Sequence, residues 1–145
     1  MPRTYRAEAD IAAPPEVVWG VLVDFDRYGE WNPFTPGLVA DLVPGAPVEI
    51  TVNLGGKQVV QREEMVEVTP PERLVWKTTY GGPWLLRARR TQWLEPLEDG
   101  GTRYVSEDVM HGPLVPIVHL VHGRALTDGF GGMAQALKDR CEGGH

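Results

Sequence analysis

The chain has 145 residues, a size typical of one domain, and we predict a single domain over residues 1–145. Its formal net charge is −6, with 14 Lys and Arg residues against 20 Asp and Glu, so a nucleic-acid partner is not expected. The single cysteine, Cys141, excludes an intramolecular disulfide, and no apolar run approaches the ~20 residues that span a bilayer. We therefore expect a cytoplasmic protein without integral membrane association.

The N-terminal part of the sequence predicts one strand followed by two short helices. Residues Thr4 to Ile11 alternate between apolar and polar side chains, which is the period of a strand with one wet face. Pro15 suits the first turn of a helix, and apolar residues then recur at helical spacing to about Asp24. A second short helix, over residues 25–31, must end before Pro33, because the residue preceding a proline is pushed out of helical geometry.

Residues 38–110 consist of strand-like segments separated by turn signals, which is typical of an antiparallel meander. The turns are marked by Gly-Gly, Pro-Pro and Asp-Gly-Gly words. Five of the predicted strands are residues 48–54, 59–68, 74–80, 84–94 and 102–110. With the N-terminal strand and a short strand that begins near Leu38, the sequence predicts seven strands.

After Gly112-Pro113 the apolar period becomes helical and predicts one long C-terminal helix. The apolar positions are separated mainly by three or four residues: Ile117, Leu120, Val121, Leu126, Phe130, Met133, Leu137 and Cys141. The fold class is therefore α+β, with a curved antiparallel sheet wrapped around this helix. The helix must lie in the concave face of the sheet, since no other element can cover it.

The order of these elements, together with several short sequence motifs, resembles a known family. The motifs include Ala13-Pro14-Pro15-Glu16-Val17-Val18-Trp19, Trp31-Asn32-Pro33-Phe34, Leu74-Val75-Trp76, Leu94-Glu95-Pro96 and Gly100-Gly101-Thr102-Arg103. The chain is similar to polyketide cyclase-like members of the START-related helix-grip superfamily, also called SRPBCC, which includes birch-pollen-allergen-like proteins. The resemblance implies a deep cavity between sheet and helix that takes hydrophobic ligands. Members serve as carriers, cyclases, quinone or steroid binders and chaperone co-activators.

The last predicted hairpin places polar residues on the inner face of the sheet. Its predicted register has four facing pairs: Leu94 with Tyr104, Gln92 with Ser106, Arg90 with Asp108, and Ala88 with Met110. An inward Arg90 needs a partner, because an unpaired buried charge costs several kcal/mol, and the opposed Asp108 supplies one. Such a pair is either a ligand anchor, for a carbonyl or phenol, or a purely structural ion pair. An arginine-paired carboxylate stays charged, which makes Asp108 a poor general acid and favours binding over catalysis.

The resemblance and the hairpin together predict a ligand site. Its residues are Trp31, Phe34, Trp76, Arg90, Gln92, Tyr104, Ser106, Asp108, Met110, Phe130 and Met133. For each aromatic residue alone, core packing is the first explanation, but as a set they fit an aromatic-lined pocket. In addition, Trp76, Tyr80 and Trp84 border the break at residues 81–83, where a loop could act as a gate.

The predicted C-terminal helix is unusual in containing Gly123, Gly129, Gly131 and Gly132, each costing roughly 1 kcal/mol relative to alanine. Close packing of helix on sheet is the first explanation that we consider. A bendable segment that admits ligand and a break near residues 127–129 are the alternatives.

No motif in the sequence indicates a metal, a cofactor or a catalytic nucleophile. His111, His119 and His122 have no carboxylate or cysteine at a zinc-like spacing, so neither a metal nor a cofactor is expected. No Gly-x-Ser-x-Gly word occurs, and the sequence identifies no catalytic residue.

The sequence thus predicts a module that binds a small hydrophobic or aromatic molecule of lipid, polyketide or quinone type, as a monomer or homodimer. The first alternative is an enzyme, a polyketide cyclase, aromatase or dehydratase, in which Arg90 steadies an enolate in a positioned substrate. The second alternative is an interaction protein of the chaperone co-activator type, which would need an exposed apolar patch.

Overall fold

The structure is a computed structural model that describes residues 2–143. The strands are β1 (Arg3–Ile11), β2 (Gly37–Ala40), β3 (Pro47–Leu54), β4 (Lys57–Thr69), β5 (Arg73–Tyr80), β6 (Leu86–Pro96) and β7 (Thr102–His111). The helices are α1 (Pro15–Leu22), α2 (Tyr28–Trp31) and α3 (Val115–Glu142), and a 3₁₀ turn occupies Phe25–Arg27.

The seven strands form one antiparallel sheet in the order β1-β7-β6-β5-β4-β3-β2. Strands β2 to β7 follow one another as a meander, and β1 pairs with the last of them. Helix α3 lies across the concave face and packs on β1, β7 and β3. The predicted α+β fold, with its two short helices after the first strand and its long C-terminal helix, is confirmed.

The register that the sequence predicted for the last hairpin is also confirmed. All four predicted pairs of facing residues are observed between β6 and β7. This register places Trp93 on the outer face, where its ring is half-buried and its Nε1 donates to Glu95 Oε2 at 2.7 Å. The Arg6 guanidinium carbon lies 5.6 Å from the centre of that ring, so the indole is covered although it faces away from the core.

Strand β6 begins later than predicted, at Leu86 rather than Trp84. Gly81 and Gly82 have φ angles of +68° and +100°, a backbone conformation that favours glycine. They turn the chain, and the Leu85 amide donates back to the Gly82 carbonyl at 3.2 Å. The turn therefore extends through Leu85 and leaves Trp84 72% exposed.

A sharp corner after α2 brings Phe34 to α3. The Asn32 side-chain carbonyl accepts hydrogen bonds from the backbone amides of Phe34 at 3.2 Å and Thr35 at 2.8 Å. The Phe34 ring then packs edge-on against Phe130 of α3, with ring centres 4.9 Å apart. This corner was predicted from Pro33, which cannot continue the preceding helix.

Helix α3 is continuous over 28 residues, so the alternative of a break near residues 127–129 is wrong. A methyl group at Gly129 would overlap the Phe34 ring, which shows that close packing explains this glycine. Apart from the adjoining residues and the backbone of the same helical turns, no atom lies within 4 Å of a methyl group built at Gly131 or Gly132, so tertiary packing explains neither of them.

Candidate ligand-binding cavity

A cavity of about 380 Å³ separates the first half of α3 from the concave face of the sheet. This volume falls in the range of small-molecule sites, roughly 300–1,000 Å³. Half of the twenty residues that line the cavity are aliphatic: Ile50, Val52, Leu54, Val59, Leu86, Ala88, Met110, Leu114, Val118 and Leu126. Four aromatic side chains complete the apolar wall: Phe34, Trp76, Tyr80 and Phe130.

The predicted site residues divide into those that line the cavity and those that do not. Six line it: Phe34, Trp76, Arg90, Asp108, Met110 and Phe130. Four are buried next to Arg90 but do not line the cavity: Gln92, Tyr104, Ser106 and Met133. Trp31 lies outside it, because it ends α2 and packs edge-on against Tyr28, with ring centres 5.2 Å apart.

Arg90 is buried, 4% exposed, at the point where the cavity meets the filled part of the core. Its Nε donates to Ser106 Oγ at 3.2 Å, and its Nη2 donates to the Tyr104 hydroxyl at 3.5 Å. Its guanidinium carbon lies 4.8 Å from the centre of the Phe130 ring, a distance at which cation–π attraction is favourable. Nη1 makes no hydrogen bond to any described side chain.

The predicted ion pair between Arg90 and Asp108 is wrong. The two residues face each other across the strands, but none of the salt bridges in residues 2–143 joins them. The long Arg90 side chain extends instead towards hydroxyl groups and aromatic faces. Strand register fixes which backbone positions are opposed, whereas the direction of a long side chain depends on the partners around it.

Asp108 is consequently a half-buried residue whose carboxyl group lies on the cavity wall without a close cation. Its Oδ1 atom has no hydrogen-bond partner within the described residues. Burial raises the pKa of Asp108 to about 6, and the positive charge of Arg90 only partly counters this effect. The prediction that Arg90 favours the charged form of Asp108 overall is wrong in direction: the pKa of this carboxyl group is raised, because desolvation outweighs the attraction of the more distant cation.

A second carboxyl group, Glu63 of β4, lines the same cavity and was missed by the sequence analysis. Burial, together with the negative charge of Asp108, raises the pKa of Glu63 to about 7 against the opposing effect of the Arg90 charge. Gln61 and Thr78 also line this wall. The alternation with Met65, which is buried and lies two residues after Glu63 on β4, could have indicated that Glu63 faces inward. Polar residues on both faces of this strand hide that alternation.

The cavity opens to solvent beside the first half of α3. Tyr80 and His122 both line the cavity and are exposed. Partial burial of Tyr80 raises the pKa of its hydroxyl above the usual range, so the group stays a neutral hydrogen-bond donor. Trp84 does not line the cavity, and the gate at residues 81–83 stays a prediction.

The histidines of α3 make no cluster with other metal-binding side chains. His119 Nδ1 is hydrogen-bonded to the Tyr5 hydroxyl at 2.8 Å, and His122 lies at the cavity mouth. Within residues 2–143, no group of three His, Cys, Asp or Glu side chains is placed to hold a metal ion. No helix in that range is long and apolar enough to cross a membrane.

Comparison with known structures identifies several proteins of the same fold. The protein TTHA0849 from Thermus thermophilus is 20% identical, with 98% of this chain and 99% of that chain covered and a TM-score of 0.76. A START superfamily protein from Mycobacterium smegmatis is 18% identical, with 98% and 99% covered and a TM-score of 0.71.

A third structure of the same fold is the di-domain ARO/CYC StfQ of the steffimycin biosynthetic pathway. It is 16% identical with a TM-score of 0.78, and the match covers 99% of this chain but only 52% of that protein. At these identities the structural matches establish the fold alone.

The sequence itself identifies the family. Nothing among the curated proteins matches it significantly. Residues 2–142, nearly the whole chain, match the family described as polyketide cyclase / dehydrase and lipid transport. The chain therefore belongs to this polyketide cyclase / dehydrase and lipid transport family.

Proposed function

We propose that the protein binds a small hydrophobic molecule that carries one polar group. The apolar body would occupy the cavity, and the polar group would contact Arg90 and Asp108 at its inner end. The observation that carries this proposal is the position of Arg90, which is buried, and Asp108, whose Oδ1 atom is buried, on the wall of a mainly apolar cavity without a salt bridge between them. The family description, which names polyketide cyclisation and lipid transport, is consistent with such a ligand.

The chemistry of the two side chains defines the polar group of the ligand. Arg90 can only donate hydrogen bonds, and its Nη1 has no acceptor among the described side chains. Asp108 offers an acceptor that lacks a partner, and a buried polar atom without a partner costs about 1–3 kcal/mol. A phenol or an enolised diketone fits both, because its oxygen accepts from Arg90 while its hydroxyl donates to Asp108.

A matched pair of probes tests this proposal: 2-naphthol and naphthalene, which differ in one hydroxyl group. We expect the protein to bind 2-naphthol roughly tenfold more tightly, the value of one or two buried hydrogen bonds. Quenching of the fluorescence of Trp76, which lines the cavity, would report binding of either probe. Equal affinities for the two probes would contradict the proposed polar anchor.

Two substitutions on neighbouring residues of β7 assign the effect to the cavity. Asp108→Leu removes the inner carboxyl group and should reduce the preference for 2-naphthol to about twofold or less. Glu107→Leu removes a carboxyl group from the outer face, where Glu107 pairs with Arg6, and should leave the preference unchanged. A preference that survives Asp108→Leu in full would exclude Asp108 as an anchor.

One observation favours a second function, that of a polyketide cyclase, aromatase or dehydratase. Glu63 and Asp108 line the cavity with pKa values of about 7 and 6, so each can take up and release a proton near neutral pH. Groups with such pKa values are suited to general acid–base catalysis. In an enzyme of this kind, Arg90 would stabilise the enolate that forms when a proton is removed next to a carbonyl.

The two functions predict different effects of Glu63→Gln. If the protein only binds, neither the wild type nor this variant should form product from a poly-β-ketone thioester. The variant should also retain affinity for the ligand. If the protein catalyses cyclisation, the wild type should release aromatic product, and the variant should lose turnover while it still binds 2-naphthol. Mass spectrometry of the reaction mixture distinguishes these outcomes.

A further inference from the structure

The rim of the cavity mouth presents large apolar side chains to solvent. Trp84 of the β5–β6 loop is 72% exposed, and Ile117, Leu120 and Val121 of α3 are 59%, 85% and 65% exposed. The loop and the helix are joined, because the Leu114 amide donates to the Leu85 carbonyl at 3.3 Å. Contiguous exposed apolar residues commonly mark contact surfaces.

The charge around this rim is opposite to that of the whole protein. Three segments border the cavity mouth: residues 54–59, 80–87 and 112–124. They contain three Lys and Arg residues and no Asp or Glu, although the chain carries 20 acidic residues and a net charge of −6. The carboxyl groups of the inner face, Glu63 and Asp108, line the cavity.

The cations at the two ends of the molecule differ in their pairing. At the end opposite the mouth, Arg103 pairs with Asp10 at 2.8 Å and Lys138 pairs with Glu142 at 2.7 Å. At the mouth, the exposed cations Lys57, Arg87 and Arg124 take part in none of the salt bridges found in residues 2–143. Their charge is therefore available to an external anionic partner.

We propose that this rim docks on the surface of an anionic lipid membrane. The docking surface consists of Trp84, Ile117, Leu120 and Val121 with the flanking cations Lys57, Arg87 and Arg124. An exposed tryptophan and aliphatic side chains among unpaired Lys and Arg have the chemistry that interfacial binding requires: apolar groups enter the boundary of the bilayer, and cations contact lipid phosphates. The position at the mouth would let an apolar ligand pass between bilayer and cavity without crossing water.

Flotation with lipid vesicles tests the proposal. The wild-type protein should float with vesicles of phosphatidylcholine mixed with phosphatidylglycerol, should float far less with phosphatidylcholine alone, and should be released by high salt. The double variant Trp84→Ser/Leu120→Gln should lose at least about tenfold in affinity. Lys57→Gln/Arg124→Gln should lose roughly 30-fold, since each cation near such a surface contributes about fivefold.

Matched control variants at the opposite end distinguish a specific docking surface from non-specific adsorption to vesicles. Val43→Ser removes an apolar side chain that is 58% exposed in the β2–β3 loop, and it should leave flotation unchanged. Arg27→Gln/Arg103→Gln alters the net charge by the same amount as the mouth variant, and it should have little effect. Both residues belong to salt bridges of that end, with Asp24 and Asp10.

Three outcomes would overturn the proposal: no flotation of the wild type with anionic vesicles at low salt, equal losses in the variants of both ends, or a mouth variant that binds as well as the wild type. A protein that ignores vesicles but changes from dimer to monomer on Trp84→Ser/Leu120→Gln would use the rim as a protein contact instead. Vesicle binding does not depend on the proposed ligand anchor. The affinity for 2-naphthol, measured in the same variants, therefore shows which of the two proposals fails.

Discussion

The two halves of α3 lie under the same sheet but form different environments. In the second half, Met133, Ala134 and Leu137 are at most 2% exposed, and α1 packs against the helix there. In the first half, Val118 is only partly buried and His122 is exposed, and the space between helix and sheet is the cavity. Helices α1 and α2 fill one end of the curved sheet, whereas the described structure places no comparable element at the other.

The comparison shows how one fold separates stability from binding. The filled end resembles the core of any small domain, since Val18, Leu22 and Tyr28 are completely buried. The polar groups of the proposed anchor stand at the border of the two ends. There Arg90 is bonded to the network on the filled side, in which the Tyr104 hydroxyl donates to Gln92 Oε1 at 2.6 Å. This network holds Arg90 in place while Asp108 faces the cavity.

The largest expected effect is the loss of stability caused by truncating a buried side chain at the filled end. Leu137→Ala should lower the free energy of unfolding by about 2–5 kcal/mol, because Leu137 is fully buried and its removal leaves a new void. Leu126→Ala should cost less, since Leu126 already borders the cavity. Urea denaturation of both variants measures the difference, and equal losses would mean that the two ends are packed alike.

The pH dependence of stability is the second prediction, and it concerns the cavity end. The pKa of Glu63 is raised to about 7 in the folded protein, so the folded state holds a proton that the unfolded state releases near pH 4. This contribution to stability is complete below pH 4 and is lost as the pH rises to about 7. Glu63→Gln should reduce this decline by about 1–3 kcal/mol, whereas Glu64→Gln, on the outer face, should not. A wild type that becomes more stable from pH 4 to pH 7, with the same slope in Glu63→Gln, would contradict the assignment.

Two glycines of α3 should respond to alanine with opposite signs. Gly129→Ala places a methyl group against the Phe34 ring and should destabilise the protein by about 1–2 kcal/mol, despite the better helix propensity of alanine. Gly132→Ala makes no tertiary contact within 4 Å and should stabilise it by about 1 kcal/mol. Thermal unfolding monitored by circular dichroism gives both values. Stabilisation by both variants would show that Phe34 does not pack on Gly129.

The smallest expected effect concerns the salt bridges of the end opposite the mouth. Arg103→Ala breaks the contact with Asp10, but both side chains are largely exposed, at 40% and 57%. Such pairs contribute less than about 1 kcal/mol, and salt weakens them. Urea denaturation should show this small change at low salt and none at high salt. A loss comparable to that of Leu137→Ala would contradict the view that packing, rather than surface charge, stabilises this end.

The sequence was sufficient for the fold because the fold depends on period and turn chemistry. Alternation on both arms of the last hairpin, closed by a short loop, determined that Leu94 faces Tyr104 and Arg90 faces Asp108. The error of two residues at the start of β6 arose where Gly81 and Gly82 begin a turn whose length depends on their φ angles. No sequence pattern encodes such a length.

The site was less predictable, because a site depends on side-chain directions and on empty space. Facing positions suggested an ion pair, but Arg90 is directed towards Ser106 and Tyr104. Glu63 was missed because β4 carries charged residues on both faces, so alternation could not show which face is inner. Trp31 was included from the resemblance alone, and only the observed end of α2 shows that it packs against Tyr28.

The most direct test of the account is a nuclear magnetic resonance titration of isotope-labelled protein with 2-naphthol. We predict that the Arg90 Nε–H signal and the amides around Asp108 and Trp76 shift together and saturate at one equivalent, while signals around Leu137 stay in place. Saturable shifts confined to the outer face of the sheet, or no saturable shifts at all, would contradict the claim that the cavity is a ligand site with Arg90 and Asp108 at its inner end.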